Sequence, residues 1–219
     1  MIISKPLIII CAGGLAREVL WLASECSEMW HVVGYLDDTD SLQATTICGS
    51  PVLGKIDDWT KYPDAYFVVA LGDPRNRKAI VERMEANGRV NFATLIHPSV
   101  KYSKFVQIGE GSIVTAGCII TTQVRIGRHC IINLSSTIGH DVIINDYCTL
   151  APQSIVSGNV ELGAGVEVGT GATIIEKNII GSGSFVGAGS IISKNLEENG
   201  CFVGNPARRI KSLAPFLSA

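Results

Sequence analysis

The chemistry that this sequence could perform centres on one histidine. The 219 residues include only four histidines, and His140 lies in the segment STIGHDVIIN, directly before Asp141. An imidazole has a reference pKa near ~6.5, so at neutral pH it can act as a general base, which typically accelerates a reaction by about 10²–10⁴. We therefore interpret His140 as a candidate base, with Asn133 as a candidate to fix its tautomer. Asp141 either orients the ring, as an acid does in catalytic triads, or only completes a turn.

A second set of candidate residues follows the predicted strands of the first half of the chain. A glycine pair between a strand and a helix favours phosphate binding, although a plain tight turn gives the same pattern. An acidic pair at the next strand end suits a ribose or a base edge, or again only a turn, and an arginine on the following helix suits phosphate or a solvated helix face. These candidates for substrate binding are Gly13, Gly14, Leu15, Asp37, Asp38, Asp73 and Arg77.

The remaining histidines and the cysteines predict no metal site. His129 is expected on the solvated surface, and His31 and His97 are expected to be structural. The seven cysteines are widely spaced and form no CxxC pair. Neither a zinc site nor a disulfide framework is expected, and a reducing cytoplasm fits this pattern.

Composition excludes other classes of partner. The net charge of −2 offers no basic field for nucleic acid or for a lipid surface. The apolar run in MIISKPLIIICAGG is too short to span a membrane and lacks the layout of a signal peptide. We expect a buried strand at this position and no membrane partner.

Residues 1–95 alternate strand and helix patterns. PLIIICAGG, HVVGYLDD, YFVVALGDP and VNFATLIHP read as strands, and helical patterns follow the first and the third of them. This alternation predicts a small Rossmann-like parallel sheet, with ligands bound beyond the carboxyl ends of the strands. A Rossmann dehydrogenase is disfavoured because the glycine loop lacks a third glycine and the sheet lacks a second half.

From Ile96 the sequence repeats every six residues. Seventeen hexads follow without an insertion, and the first position is Ile, Leu or Val in sixteen of them, with Tyr102 as the exception. This period predicts a parallel β-helix of triangular coils, in which the first-position side chains point inward and stack. Residues 96–219 therefore form the second predicted domain. His140 is the third residue of its hexad, so we expect it at an exposed corner, with Thr122 and Gly158 in the adjacent coils.

The hexads, the segment SSTIGHDVIINDYCTLAP and the ending CFVGNPARRIK resemble the left-handed β-helix acyltransferases. The front half, with IICAGGLAREV and GYLDD, is similar to the sialic acid O-acetyltransferase and nucleotide-amino-sugar N-acetyltransferase family of bacterial glycan synthesis. The resemblance implies an α/β N-terminal domain followed by a left-handed parallel β-helix. It implies His140 as the general base, acetyl-CoA in the groove between β-helices of a homotrimer, and the nucleotide on the glycine loop.

The resemblance also implies cofactor contacts and shows one departure. Backbone groups along the stacked coils are expected to meet the pantetheine of acetyl-CoA at Thr149, Gly158, Thr170 and Ala188, and Arg208 and Arg209 either meet the 3′-phosphate or belong to a cap. Relatives commonly have Gly-Gly-His-Gly at the loop, whereas this chain has Gly-Gly-Leu-Ala with Leu15 in place of the histidine. Any contact of that histidine is therefore missing.

Three functions compete at this stage. The first is an acetyl-CoA-dependent N-acetyltransferase acting on the 4-amino group of a UDP-, GDP- or dTDP-linked amino-deoxy sugar. The second is a sialic acid O-acetyltransferase, in which a poorly nucleophilic alcohol depends more strongly on His140. The third is a hexapeptide-repeat scaffold that binds a nucleotide without catalysis.

Overall fold

The computed structural model describes residues 4–217, so the outermost residues of the two predicted domains, 1–3 and 218–219, lie outside it. The first half forms five strands and two α-helices, with 3₁₀ turns at Asp40–Leu42 and Ile56–Lys61. The elements are β1 (Lys5–Ile10), α1 (Gly14–Glu25), β2 (Trp30–Leu36), β3 (Thr46–Ile47), β4 (Ser50–Gly54), β5 (Tyr66–Val69) and α2 (Pro74–Ala86). The strand order is β3-β4-β2-β1-β5.

The central strands of this sheet are parallel, as predicted: α1 returns the chain between β1 and β2, and the 3₁₀ turn at Ile56–Lys61 lies between β4 and β5. The apolar run of β1 is fully buried from Leu7 to Ile10. Two features differ from prediction. The antiparallel hairpin of β3 and β4 was not predicted, because its strands are short and lack alternation. The segment VNFATLIHP makes only an isolated bridge to this sheet at Phe92, and its end belongs to the next domain.

The second half is a left-handed parallel β-helix of two-residue strands closed by a hairpin. Its strands are β6 (Leu95–Ile96), β7 (Lys101–Tyr102), β8 (Gln107–Ile108), β9 (Ile113–Val114), β10 (Ile119–Ile120), β11 (Arg125–Ile126), β12 (Ile131–Ile132), β13 (Thr137–Ile138), β14 (Ile143–Ile144), β15 (Thr149–Leu150), β16 (Ile155–Val156), β17 (Glu161–Leu162), β18 (Glu167–Val168), β19 (Thr173–Ile174), β20 (Ile179–Ile180), β21 (Phe185–Val186), β22 (Ile191–Ile192), β23 (Gly200–Gly204) and β24 (Ala207–Ser212).

Every third strand of the β-helix joins the same sheet, which gives three flat faces. Face 1 contains β6, β9, β12, β15, β18 and β21, face 2 runs from β7 to β22, and face 3 runs from β8 to β20. Strand partners lie eighteen residues apart, as in Ile120 with Ile138. The first-position side chains stack inward and are almost all buried, which confirms the predicted register.

The fourth position of each hexad makes the corner. From Gly111 to Gly189 every fourth-position residue has a positive φ, between 54° and 75°, and those that are not glycine include Asp141 at 59°. This left-handed conformation disfavours most side chains and is tolerated best by Gly, Asn and Asp. It explains why glycine, asparagine and other polar residues are frequent at this position.

The N-terminal domain is docked on face 1. The outward side chains Ile113 and Ile131 of this face are fully buried in the same apolar cluster as Val19 and Leu22 of α1. The corner between face 2 and face 3 is the edge opposite face 1. We call it the His140 corner, because His140 lies on it between β13 and β14.

Candidate active site

His140 and Asp141 form an exposed pair on the His140 corner. The two side chains are 58% and 45% exposed, and Nδ1 of His140 lies 2.7 Å from Oδ2 of Asp141. A carboxylate can only accept a hydrogen bond, so Nδ1 carries the hydrogen and Nε2 keeps its lone pair. This geometry favours the first alternative for Asp141, namely that it orients the ring.

A glycine in the next coil makes the room that the imidazole occupies. A Cβ on Gly158 would lie 2.6 Å from Nε2 and 2.7 Å from Cε1 of His140. Any other residue there would displace the ring. The predicted neighbourhood of His140 and Gly158 is therefore present, and Nε2 lies next to Gly158.

Asn133 lies on a different corner of the same coil. It precedes face 2, whereas His140 follows it. The Oδ1 atom of Asn133 accepts hydrogen bonds from the backbone N–H of Leu134 at 2.8 Å and from the hydroxyl of Thr115 at 3.3 Å. Within one chain, Asn133 thus has no contact through which to fix the tautomer of His140.

Of the four predicted acetyl-CoA contacts, only Gly158 lies on the His140 corner. Thr170 and Ala188 are exposed on the corner between face 1 and face 2. Thr149 points outward from face 1, where its hydroxyl donates to the carbonyl of Gly72 at 2.7 Å and is buried under the N-terminal domain. The prediction that Thr149 contacts acetyl-CoA is wrong. The hexad pattern does not show that the N-terminal domain covers face 1, and this domain buries Thr149.

The glycine loop begins α1 and is open to solvent. Gly13 and Gly14 are exposed, and a Cβ added at Gly13 would meet no atom within 4 Å. Gly13 is the N-cap of α1 and has no side chain to cap the helix, so the first backbone N–H groups of α1 are available to an anion. Leu15 is half-buried and packs into the core instead of facing the loop.

The two predicted acidic residues at the end of β2 are already engaged. Asp37 accepts hydrogen bonds from the backbone N–H groups of Ala12 and Thr39, both at 2.8 Å. Asp38 accepts from the backbone of Ile56 and forms an ion pair with Arg83 at 2.6 Å. Partial burial alone would raise the pKa of Asp38, but these donors outweigh it and hold the pKa below its usual value. The two carboxylates therefore stabilise the backbone and side chains around the end of β2.

Arg77 is buried and does not face a ligand. It is 1% exposed and donates from Nε to the carbonyl of His129 at 2.8 Å and from Nη2 to the carbonyl of Tyr147 at 2.7 Å. Further acceptors are the carbonyls of Leu71, Gly72 and Cys148 and the hydroxyl of Thr149. Burial lowers the pKa of Arg77 to about 10, so it remains charged at neutral pH. The prediction that Arg77 meets phosphate or solvent is wrong, because it ties the two domains together.

Asp73 serves the helix that carries Arg77. Its Oδ1 accepts a hydrogen bond from the backbone N–H of Asn76 at 2.8 Å, which caps α2. A side-chain cap of this kind typically stabilises a helix by about 1 kcal/mol. Its carboxylate is otherwise exposed to solvent.

His129 is also buried, contrary to prediction. Its ring is stacked on Tyr147 at 5.4 Å between centroids and lies edge-on to Phe92 at 4.5 Å. Neither ring nitrogen has a hydrogen-bond partner within residues 4–217. Burial, followed by the charges of Arg128 and Arg77, lowers the pKa of His129 to about 3. The hexad register predicted a corner correctly, but it could not reveal that Phe92 covers that corner.

The remaining observations concern the C-terminal tail, metal ligands and membrane-spanning helices. Arg209 forms an ion pair with Glu197 at 2.6 Å, whereas Arg208 is exposed on β24. In the described part of the chain, no three His, Cys, Asp or Glu side chains converge as metal ligands. No helix within residues 4–217 is long and apolar enough to cross a bilayer.

Comparison with known proteins identifies the family and supports the fold described above. A sequence profile of the PglD N-terminal domain matches residues 6–84. The chain is 30% identical over 212 residues to GDP-perosamine N-acetyltransferase of Escherichia coli O157:H7, a match that covers 91% of this chain and 94% of the relative.

Two solved structures match nearly the whole chain. PerB from Caulobacter crescentus, in complex with CoA and GDP-perosamine, has a TM-score of 0.86 at 30% identity and covers 94% of this chain and 98% of that one. The acetyltransferase domain of PglB from Neisseria gonorrhoeae FA1090, in complex with acetyl coenzyme A, has a TM-score of 0.88 at 29% identity and covers 94% and 100% of the two chains.

The fold and the exposed histidine on a β-helix corner define a left-handed β-helix acyltransferase. The resemblance seen in the sequence is confirmed at the level of the family. The chain belongs to the nucleotide-amino-sugar N-acetyltransferase family and is an acetyltransferase.

Proposed function

We propose that this protein transfers the acetyl group of acetyl-CoA to the 4-amino group of a nucleotide-linked amino-deoxy sugar used in bacterial surface glycans. The observation that carries the proposal is the His140 pair, with Nδ1 on Asp141 and Nε2 free beside Gly158. The names of the relative and of the PerB complex support the class of acceptor.

The chemistry needs a proton acceptor at one atom. The amine nitrogen of the sugar attacks the thioester carbonyl carbon, and the carbon–sulfur bond then breaks as the CoA thiolate leaves. The nitrogen loses one proton along this path, and Nε2 of His140 is the atom that takes it up. Asp141 holds the opposite hydrogen on Nδ1 and stabilises the imidazolium that forms.

The two candidate substrate regions lie far apart in one chain, which supports a homotrimer. The glycine loop at Gly13 belongs to the domain docked on face 1, whereas His140 lies on the opposite edge of the β-helix. A loop that reaches His140 must therefore come from another copy. Face 2 also exposes Ile119 and Ile155, which are 46% and 44% accessible and which a neighbouring copy would cover.

The assignment of both substrates follows from this arrangement. The open N-terminus of α1 at Gly13 and Gly14 takes the nucleotide phosphates of the acceptor, and the groove along Gly158 takes the pantetheine of acetyl-CoA. We also place the protein in the cytoplasm, since all seven cysteines are free thiols.

The test is thiol release from acetyl-CoA, measured with GDP-, UDP- and dTDP-linked 4-amino-4,6-dideoxy sugars. Release with at least one of these sugars, together with an acetamide product by mass spectrometry, is expected. Release only with a sialic acid would replace the proposal by O-acetylation. No release and no CoA binding would replace it by a nucleotide-binding scaffold. Light scattering should give three times the mass of one chain, and a monomer would contradict the trimer.

A further inference from the structure

A cavity lies beside His140, on the side of the first two coils of the β-helix. Its volume is about 550 Å³. Phe105, Gln123 and Asp141 line it along the His140 corner, each one coil above the previous one. The outward residues Gln107, Arg125 and Ile143 line it along face 3.

The register fixes the length of this cavity. Residues eighteen apart belong to adjacent coils, and adjacent strands are about 4.8 Å apart. Phe105 therefore lies roughly 10 Å from Asp141 along the β-helix axis. A ligand that begins at His140 and runs toward Phe105 would pass Arg125 halfway.

Two cations in the cavity have no carboxylate partner. Neither Lys104 nor Arg125 takes part in an ion pair among residues 4–217, and both are exposed. Lys104 lies over the ring of Phe105, with Nζ 5.2 Å from the ring centre. The one acidic residue of the lining is Asp141, and its Oδ2 is engaged by His140.

Other arginines of this protein behave differently. Arg83 pairs with Asp38 and Asp57, and Arg128 pairs with Glu85 and Glu110. Two carboxylates thus neutralise each of these two arginines. The free pair in the cavity creates a positive potential within two coils of the catalytic histidine, which suits an anionic ligand.

We propose that Lys104 and Arg125, together with the glycine loop of another copy, bind the diphosphate of the acceptor nucleotide sugar and so hold its amine at His140. This inference rests on the proposed function and adds a binding site on the β-helix itself. The groove proposed for acetyl-CoA runs along Gly158, one coil after His140. The cavity lies on the other side of His140, toward the earlier coils, and is open to the acceptor.

The order of the chemical groups along the acceptor matches the order of His140, Arg125 and Lys104 along the β-helix. In a nucleotide-linked sugar, the diphosphate is attached across the pyranose ring from the 4-amino group. With the amine at Nε2 of His140, the diphosphate reaches the coils of Arg125 and Lys104. Acetyl-CoA carries a diphosphate too, so the experiment must distinguish the two substrates.

The decisive comparison is between Arg125→Gln, Lys104→Gln and the double variant, with Arg89→Gln as the matched control. Arg89 is exposed on the N-terminal domain, away from the cavity. We expect the KM for the nucleotide sugar to rise roughly 10- to 100-fold in the double variant, because two charge-assisted hydrogen bonds are lost. The KM for acetyl-CoA and the kcat should stay near those of the control.

Two kinetic outcomes would overturn the inference. One is an unchanged KM for the nucleotide sugar, and the other is a rise in the KM for acetyl-CoA instead. The salt dependence adds a second measure, because the KM for the sugar should rise with NaCl in the unmodified protein and rise less in the double variant.

A binding measurement separates this inference from the proposed function. Calorimetry with free GDP, UDP and dTDP needs no turnover. Binding to the unmodified protein that is lost in the double variant supports the cavity even if no amino sugar is acetylated. Equal binding to both proteins, or binding to neither, overturns the cavity as a diphosphate site. Circular dichroism should show the same fold in all variants, since both side chains are exposed.

Discussion

Two histidines that lie two hexads apart have opposite environments. His129 is fully buried between Tyr147 and Phe92 and has no polar partner within the described residues. His140 is 58% exposed and is hydrogen-bonded to Asp141. Both lie on corners of the same β-helix, and the hexad pattern treats them almost alike.

The difference teaches that the N-terminal domain decides which corner can be reactive. It covers face 1 and the corner of His129, where burial keeps the imidazole neutral. It leaves the opposite corner free, where an imidazole can meet solvent and substrate. The corner positions of the β-helix are thus equivalent in the repeat. Whether a corner side chain is buried or accessible to substrate depends on where the N-terminal domain docks.

The largest effect should come from His140→Asn. Removing the base should lower kcat by about 10²–10⁴, because the amine proton then has no acceptor at this atom. The side chain is exposed, so the melting temperature should stay unchanged. Steady-state kinetics and thermal melts check both values, and near-normal turnover would remove His140 from the mechanism.

The buried counterpart of that test is Arg77→Met. This variant leaves the carbonyls of His129 and Tyr147 without their buried donor. The free energy of unfolding should fall by about 3–5 kcal/mol. Denaturant titration measures it, with the exposed Arg17→Met as the matched control. A loss equal to that of the control would mean that Arg77 does not hold the domains together.

The pH dependence of stability should report His129. Its pKa in the folded protein is about 3, below the reference value of 6.5. As the pH falls below 6.5, the unfolded chain takes up a proton that the folded chain refuses, so stability decreases by up to ~1.4 kcal/mol per pH unit until the pH approaches 3. In His129→Phe the slope between pH 6.5 and 5 should be shallower. Parallel slopes in the two proteins would show that His129 does not titrate in this way.

The smallest effect should come from Asp141→Asn. Asparagine tolerates the left-handed backbone of this position as well as aspartate does, so the fold should be kept. The loss of the carboxylate beside Nδ1 should lower kcat by roughly 10-fold, since an amide fixes the tautomer less well. Steady-state kinetics measures this change in kcat. An unchanged kcat would leave Asp141 with a turn-forming role only.

The sequence predicted the β-helix and its register because one physical rule repeats every six residues. It also predicted an exposed His140 beside Gly158, since both follow from position in the hexad. It did not predict the burial of His129, Arg77 and Thr149. Their environment depends on contacts between segments far apart in sequence, such as α2 against the second and third coils.

Some features that were not predicted are nevertheless visible in the sequence, and others are not. The corner residues with positive φ appear in the sequence as glycines and mostly polar residues at the fourth position of successive hexads. The cavity with Lys104 and Arg125 was not visible, because one cation lies at a corner and the other on a face. Only the eighteen-residue register brings such positions together.

The contacts of Arg77 have a consequence for how this architecture can be rearranged. Three of its acceptors in the β-helix are main-chain carbonyls, those of His129, Tyr147 and Cys148, and only Thr149 offers a side chain. Backbone carbonyls at these positions exist in any hexad repeat. The domain boundary is therefore a natural point of exchange. An N-terminal domain that carries such an arginine can therefore dock on coils of different sequence through the same main-chain acceptors.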